Sequence, residues 1–254
     1  MERIFMTDIV AALSSSELVS GSIEKLKAYI APPFGWLIFN NPERRNAVSL
    51  EMWRTVPALM KAFQDDERVR VIILVGAGDK AFVSGADISE FEKNRATAED
   101  NAAYRQTSGA AATTIAQSRK PTIAMIRGAC IGGGLATALN CDLRVAETGA
   151  KFGIPAAKLG IGYPFAGTAQ LVALVGPANA KDLLFTARHV DAATAQQLGL
   201  INQIASAENL HEHVISLASG IAANAPLSIY AAKLAVNNAV RDPENRDLAA
   251  VNEA

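Results

Sequence analysis

The chain has 254 residues, half of them apolar and 19% charged, which amounts to about 1.7 average domains and a core large enough to exclude a disordered chain. Lys+Arg 24 against Asp+Glu 25 leaves no basic excess for a nucleic-acid backbone, so no nucleic-acid partner is expected. Two cysteines, Cys130 and Cys141, cannot build a disulfide framework, and no Cys/His cluster has zinc spacing; the expected setting is reducing and cytoplasmic, with no metal. Apolar runs such as Gly128 to Ala136 fall far short of the 18–20 residues, or about that, of a membrane span, so no membrane partner is expected.

In chain order, residues 1–20 read as a loosely held leader, with neither a secretory signal nor an anchor. Residues 21–205 read as the core. Ile23 to Ile30 and Trp36 to Phe39 predict two strands, broken at Ala31-Pro32-Pro33-Phe34-Gly35. Ser49 is the candidate cap of a helix to about Asp65, with Met52, Val56, Leu59 and Phe63 as its apolar stripe. Val69 to Val75 predicts a buried strand, Phe82-Val83 a short strand and Asp87 to Asn94 a short helix. A long helix from Thr97 to Gln117, a strand from Thr122 to Ile126, a helix from Gly133 to Asn140 and a strand from Leu143 to Ala146 follow. The region to Gly167 is punctuated by glycine and proline, and after Pro177 the pattern is mainly helical. Strand–helix alternation predicts an α/β class with right-handed crossovers. Residues 206–254 read as a second, helical segment, and no fixed-period repeat is visible.

Three stretches can carry chemistry. Gly128 to Ala136 contains Gly132-Gly133-Gly134 between a strand and a helix, where bare backbone N–H groups can meet an anion, or where the chain simply turns tightly. Its spacing fits neither a dinucleotide fingerprint nor a P-loop. Ala81 to Ile88 places the Ala86 N–H at a second strand-to-helix turn, with Asp87 a candidate helix cap. Asn40 to Ser49 carries Arg44 and Arg45, which could hold phosphates or face solvent.

Together NPERRNAVS, AFVSGADISEF and KPTIAMIRGACIGGGLATALNCDLRVA resemble the crotonase superfamily, the enoyl-CoA hydratase/isomerase family. KFGIPAAKLGIG, TARHVDAATAQQLGLINQI and APLSIYAAK continue the resemblance from about Trp36 onward. It implies a spiral of ββα turns with a helical C-terminal segment that assembles a homotrimer or a hexamer, a dimer of trimers. It implies an acyl-CoA thioester as substrate, coenzyme A entering as part of it, and no covalently bound cofactor. The thioester enolate would sit on the N–H groups of Ala86 and Gly133, an oxyanion hole. Ser84 and the run Ala86, Asp87, Ile88 and Ser89 would meet the CoA, with Arg44, Arg45 and Ala47 on the loop that skirts its nucleotide.

The pattern departs from the family at the two glutamates that position and activate water in hydratases. Ala136 and Ala156 occupy those positions, and a methyl group accepts no proton. Tyr163, in LGIGYP, resembles the tyrosine of the methylmalonyl-CoA decarboxylase branch and is a candidate acid, or an aromatic wall of the acyl pocket. That branch usually has a histidine where Ala86 stands, and the aspartate of the dehalogenase branch is replaced by Pro164. His189, His211 and His213 match no catalytic position, while Ser84, Arg105 and Lys158 are further polar candidates for the pocket. Family members run a few helical turns beyond Asn252-Glu253-Ala254, so the segment reads as shortened. The expectation is an acyl-CoA lyase labelled enoyl-CoA hydratase; the alternatives are a decarboxylase of malonyl-type acyl-CoA using Tyr163, or a CoA-thioester binder without turnover.

Overall fold

A computed structural model describes residues 9–87 and 97–253. Of residues 9–20, expected to be loosely held, Ile9, Leu13 and Val19 are buried. Helix α1 (Ile9–Ala12) buries Ile9, and Leu13 joins the same cluster as Trp36 and Val71. These two side chains are four apart, so one helical turn places both on one face. Strand β1 (Glu17–Leu18) then pairs with β2 (Leu26–Ala31).

Strands β2 and β3 (Phe34–Phe39) form an antiparallel hairpin whose turn is tighter than expected, because Phe34 and Gly35 belong to β3. Ser49 caps helix α2 (Leu50–Asp65), accepting from the Met52 N–H at 3.2 Å, and the stripe of Met52, Val56, Leu59 and Phe63 is buried. The chain continues through β4 (Val71–Gly76), β5 (Ala81–Val83), α3 (Ala98–Ala116), β6 (Thr122–Ile126) and β7 (Ala129–Ile131). Helix α4 (Gly133–Leu139), β8 (Leu143–Glu147), β9 (Lys151–Gly153) and α5 (Phe165–Thr186) follow, with α5 interrupted at Gly176, whose φ is 74°. Two short strands, β10 (Val190–Asp191) and β11 (Gln203–Ala205), flank α6 (Ala192–Gln197). The chain ends in α7 (Leu210–Ala222), α8 (Pro226–Ala239) and α9 (Leu248–Glu253). Beyond Asp87, the short helix expected to Asn94 lies outside the described residues. The punctuated region to Gly167 is more ordered than expected: it holds β9 and a 3-10 turn over Pro155–Leu159.

Among the described residues the strands form two sheets. The larger runs β1-β2-β3-β4-β6-β8-β11, parallel from β3 onward, and the smaller runs β10-β9-β7-β5. Each of the pairs β4–β5, β6–β7 and β8–β9 steps from the larger sheet to the smaller; α3 and α4 carry the chain back after the first two, while after β9 the chain passes through α5 to β10 of the smaller sheet and returns by α6 to β11. This is a ββα spiral. One apolar cluster fills the space between the sheets and α2, α4 and α5; a second seals the other face of the larger sheet under α7, through Leu210, Val214 and Ala218. No single helix among the described residues is long and apolar enough to cross a membrane.

The loop before α2 is locked by Asn46, fully buried at φ 56°, a backbone region that Asn tolerates better than most residues. Its Nδ2 donates to the carbonyls of Ala77 and Ala81 at 2.9 and 2.8 Å, and its Oδ1 accepts from the Asn41 N–H at 2.9 Å. Asn46→Ala would leave three buried backbone groups without that partner. The expected loss is about 3 kcal/mol or more, read as a lower midpoint in thermal or urea unfolding.

Candidate active site

Strand β5 runs out into Ser84-Gly85-Ala86, which pairs with Val48 in a parallel bridge. The Val48 N–H donates to Gly85 O at 2.9 Å and the Asp87 N–H to Val48 O at 3.0 Å. Successive groups on an extended strand point to opposite sides, so the Ala86 N–H faces away from Val48. Gly85 makes this possible with φ 123°, a conformation that side chains rarely adopt.

The second amide comes from the β7–α4 turn. Gly132, at φ 55° and ψ −115°, reverses the chain while its N–H donates to Gly153 O at 2.8 Å. Gly133 is the first residue of α4, where a helix has no internal acceptor for its N–H. The two turns meet: a Cβ on Gly133 would lie 3.5 Å from Ala86 N, and one on Gly85 would lie 3.8 Å from Gly133 N. The contact is so close because Gly134 rests on β5, where any Cβ would fall 1.8 Å from Val83 O. Neither the Ala86 nor the Gly133 N–H has an acceptor among the described residues.

Both amides border a cleft of about 1400 Å³, larger than the several hundred to about 1,000 Å³ usual for a small-molecule site. Ser84, Ala86, Gly133, Ala136, Ala156, Tyr163 and Arg105 all line it, whereas Lys158 does not. Ala136 and Ala156 thus present methyl groups to the cleft. The Tyr163 ring lies against Gly167, and among the described residues its buried hydroxyl has no hydrogen-bond partner. Burial pushes the phenol up to about 12, so it holds its proton more firmly than a free tyrosine.

The loop residues flank the cleft without lining it. Arg44 Nη1 bonds both carboxylate oxygens of Asp87, at 3.1 and 3.4 Å; Arg44 is half-exposed and the Asp87 side chain is buried. The Asp87 carboxylate is therefore held by Arg44. Arg45 is exposed at φ 52° and accepts the Ser84 N–H on its carbonyl, and Ala47 is buried, its carbonyl accepting from Asn41. Ile88 and Ser89 lie outside the described residues.

The three histidines stay away from the cleft. His211 stacks on Trp36 at 5.9 Å, with burial lowering its pKa; His213 bonds Gln203 at 2.6 Å, and His189 is exposed. Burial pushes both thiols up, Cys141 to about 12, which keeps them protonated and poor nucleophiles.

Two polar features of the cleft carry no short-range sequence signal. Asp142 Oδ2 accepts from Lys233 Nζ at 2.7 Å and from Thr122 at 2.8 and 3.0 Å, tying α8 to the start of β8. Asn140 accepts from Gln170 Nε2 at 2.6 Å and donates to Ala136 O at 2.7 Å.

The family model described as "Enoyl-CoA hydratase/isomerase" matches residues 36–253. The chain is 34% identical to the short-chain-enoyl-CoA hydratase of Clostridium acetobutylicum over 222 residues, 85% of this chain and 82% of that one. It is 35% identical to the crotonyl-CoA hydratase of Syntrophomonas wolfei over 210 residues, 83% and 80% of the two chains. Its fold superposes on an enoyl-CoA hydratase/carnithine racemase from Magnetospirillum magneticum with a TM-score of 0.86 at 34% identity, covering 91% and 86% of the chains. An enoyl-CoA hydratase from Bacillus anthracis gives 0.81 at 29% identity, covering 90% and 87%.

Proposed function

This chain belongs to the enoyl-CoA hydratase/isomerase family, and from that membership we propose that it binds an acyl-CoA thioester and holds the thioester oxygen as an enolate on the N–H groups of Ala86 and Gly133. The observation that carries this reading is the adjacency of the two amides at the cleft. Two fixed donors favour the state in which the oxygen is negative, each worth about 2.7–4 kcal/mol of barrier. Ser84 and Asp87, with Ile88 and Ser89, would meet the CoA moiety, and Arg44, Arg45 and Ala47 would border its nucleotide. CoA is part of the substrate and needs no further cofactor.

Hydration, the reaction named for the relatives, requires groups that deliver water and move its proton. The two side chains expected to do so are Ala136 and Ala156, and loss of a positioned acid or base costs roughly 10²–10⁴-fold per role. The unpartnered Tyr163 hydroxyl favours a second reading, decarboxylation of a malonyl-type acyl-CoA. The bond between the α carbon and the carboxylate breaks, CO₂ leaves, and its electron pair becomes the enolate. Tyr163 then gives its proton to the α carbon and regains one from water. Crotonyl-CoA hydration and methylmalonyl-CoA decarboxylation, assayed on one preparation, separate the two readings; tight binding with neither activity would mark a binder without turnover.

Under the second reading, Tyr163→Phe is expected to lower the decarboxylation rate about 10²-fold with KM nearly unchanged. Because burial disfavours the phenolate, the wild-type rate should stay level past pH 10, where a free phenol ionises, and fall only toward about 12. An unchanged rate in the Phe variant would remove Tyr163 from the reaction.

Assembly into a cytoplasmic trimer or hexamer belongs to the same proposal. It is supported by exposed apolar side chains on the last helices and the turn after α8, Leu227, Val236, Val240 and Leu248. Sedimentation showing only monomer would count against it.

A further inference from the structure

The cleft continues past the two amides, and along α4 and α5 its polar lining there is Thr137, whose hydroxyl is spent on Gly133 O at 2.8 Å, and the amide pair of Asn140 and Gln170. Asn140 is 8% exposed and fixed at both ends of its side chain, donating to Ala136 O and accepting from Gln170. Gln170 spends one Nε2 hydrogen on Asn140; among the described residues its other hydrogen and its Oε1 make no hydrogen bond. Leu139, Ala173, Leu174 and Ile229 line the same cleft with apolar surface. Gln170 is half-buried there, so its remaining amide hydrogen and its Oε1 stand ready for a ligand that completes their bonds.

The helix supplies a ruler. Gly133 and Asn140 are seven residues apart on α4, about 10 Å at the α-helical rise. An extended chain advances about 1.2 Å per bond, so an acyl group laid along α4 from the Gly133 amide reaches Asn140 after about eight bonds. Resting on the CoA-thioester reading above, we infer that the acyl group carries an uncharged hydrogen-bonding substituent, a hydroxyl or an amide, about eight bonds from the thioester carbonyl, recognised by Gln170 held in place by Asn140. Gln170 Oε1 would accept from the substituent and Nε2 would donate to it. Short unsubstituted chains leave this end of the cleft unfilled.

Calorimetric binding of butyryl-CoA, octanoyl-CoA and 8-hydroxyoctanoyl-CoA tests the inference. The hydroxyl oxygen of the last lies eight bonds from the thioester carbon. The wild-type protein is expected to bind the hydroxylated thioester about tenfold more tightly than octanoyl-CoA. In Gln170→Leu the ratio should fall to about one, with unfolding curves confirming that the variant is folded. The wild-type ratio decides the matter even if that variant fails to fold. Butyryl-CoA binding with no wild-type preference for the hydroxyl overturns this inference alone, as does a preference that survives in Gln170→Leu. Failure of all three thioesters to bind overturns the CoA-thioester reading and this inference with it.

Discussion

Alanine at two adjacent glycines should produce opposite failures. Gly134→Ala is expected to cost the fold: its Cβ would sit 1.8 Å from Val83 O and 2.6 Å from Val83 C, both backbone atoms that cannot swing aside. Overpacking a core usually costs about 1–3 kcal/mol, and a backbone clash of this size should exceed that, out of a total near 5–15 kcal/mol. Poor soluble yield or a steep fall in melting temperature is the readout. Gly133→Ala should keep the fold, since its Cβ would lie at ordinary contact distance, 3.5 Å from Ala86 N. That methyl would stand over the Ala86 amide, where the proposed reading places the thioester oxygen. Turnover of whichever acyl-CoA the enzyme accepts should fall about 10²–10³-fold while the melting curve barely moves. Full activity in Gly133→Ala would show that the two amides do not act on the substrate.

The second large effect is a gain. Ala136→Glu combined with Ala156→Glu is expected to raise crotonyl-CoA hydration by at least about 10²-fold, because each carboxylate would supply a proton-moving role. The positions are suitable: Ala136 lies one helical turn beyond Gly133, Ala156 lies on the 3-10 turn Pro155–Leu159, and both line the cleft. Partial burial would raise the carboxyl pKa of either glutamate, which suits the one that must act as an acid. The single variants should gain far less than the pair, since one water must be held and deprotonated at once. No gain in the folded double variant would show that other walls of the cleft bar a crotonyl group or a water.

Much of this architecture is legible in the amino-acid sequence wherever the pattern runs long enough. Helix α2 is readable from Ser49 and a stripe at helical spacing, because sixteen residues repeat the signal several times. Strands β7, β9 and β11 have three residues each and β10 has two, too few for alternation to register. The ββα repeat stays hidden for that reason, since three of its six paired strands, β5, β7 and β9, have only three residues each. Residues 9–20 read as loose because Ile9 and Leu13 span a single turn, and only the partner surface around Trp36 reveals that they are buried. At the site, glycine and alanine mark where backbone donors can stand, but only the resemblance joined Ala86 to Gly133, forty-seven positions on. Asn140 and Gln170 meet across thirty residues, and no local rule pairs them.

The origin of the two donors has a consequence for how such a catalyst changes over generations. A codon change replaces a side chain and leaves the peptide N–H in place, proline excepted. The means of holding negative charge therefore persists under mutational drift so long as the two turns keep their shape. The carboxylates that complete one particular reaction are each a single codon away from loss. A lineage can in this way discard its ancestral chemistry and keep the platform on which another is assembled.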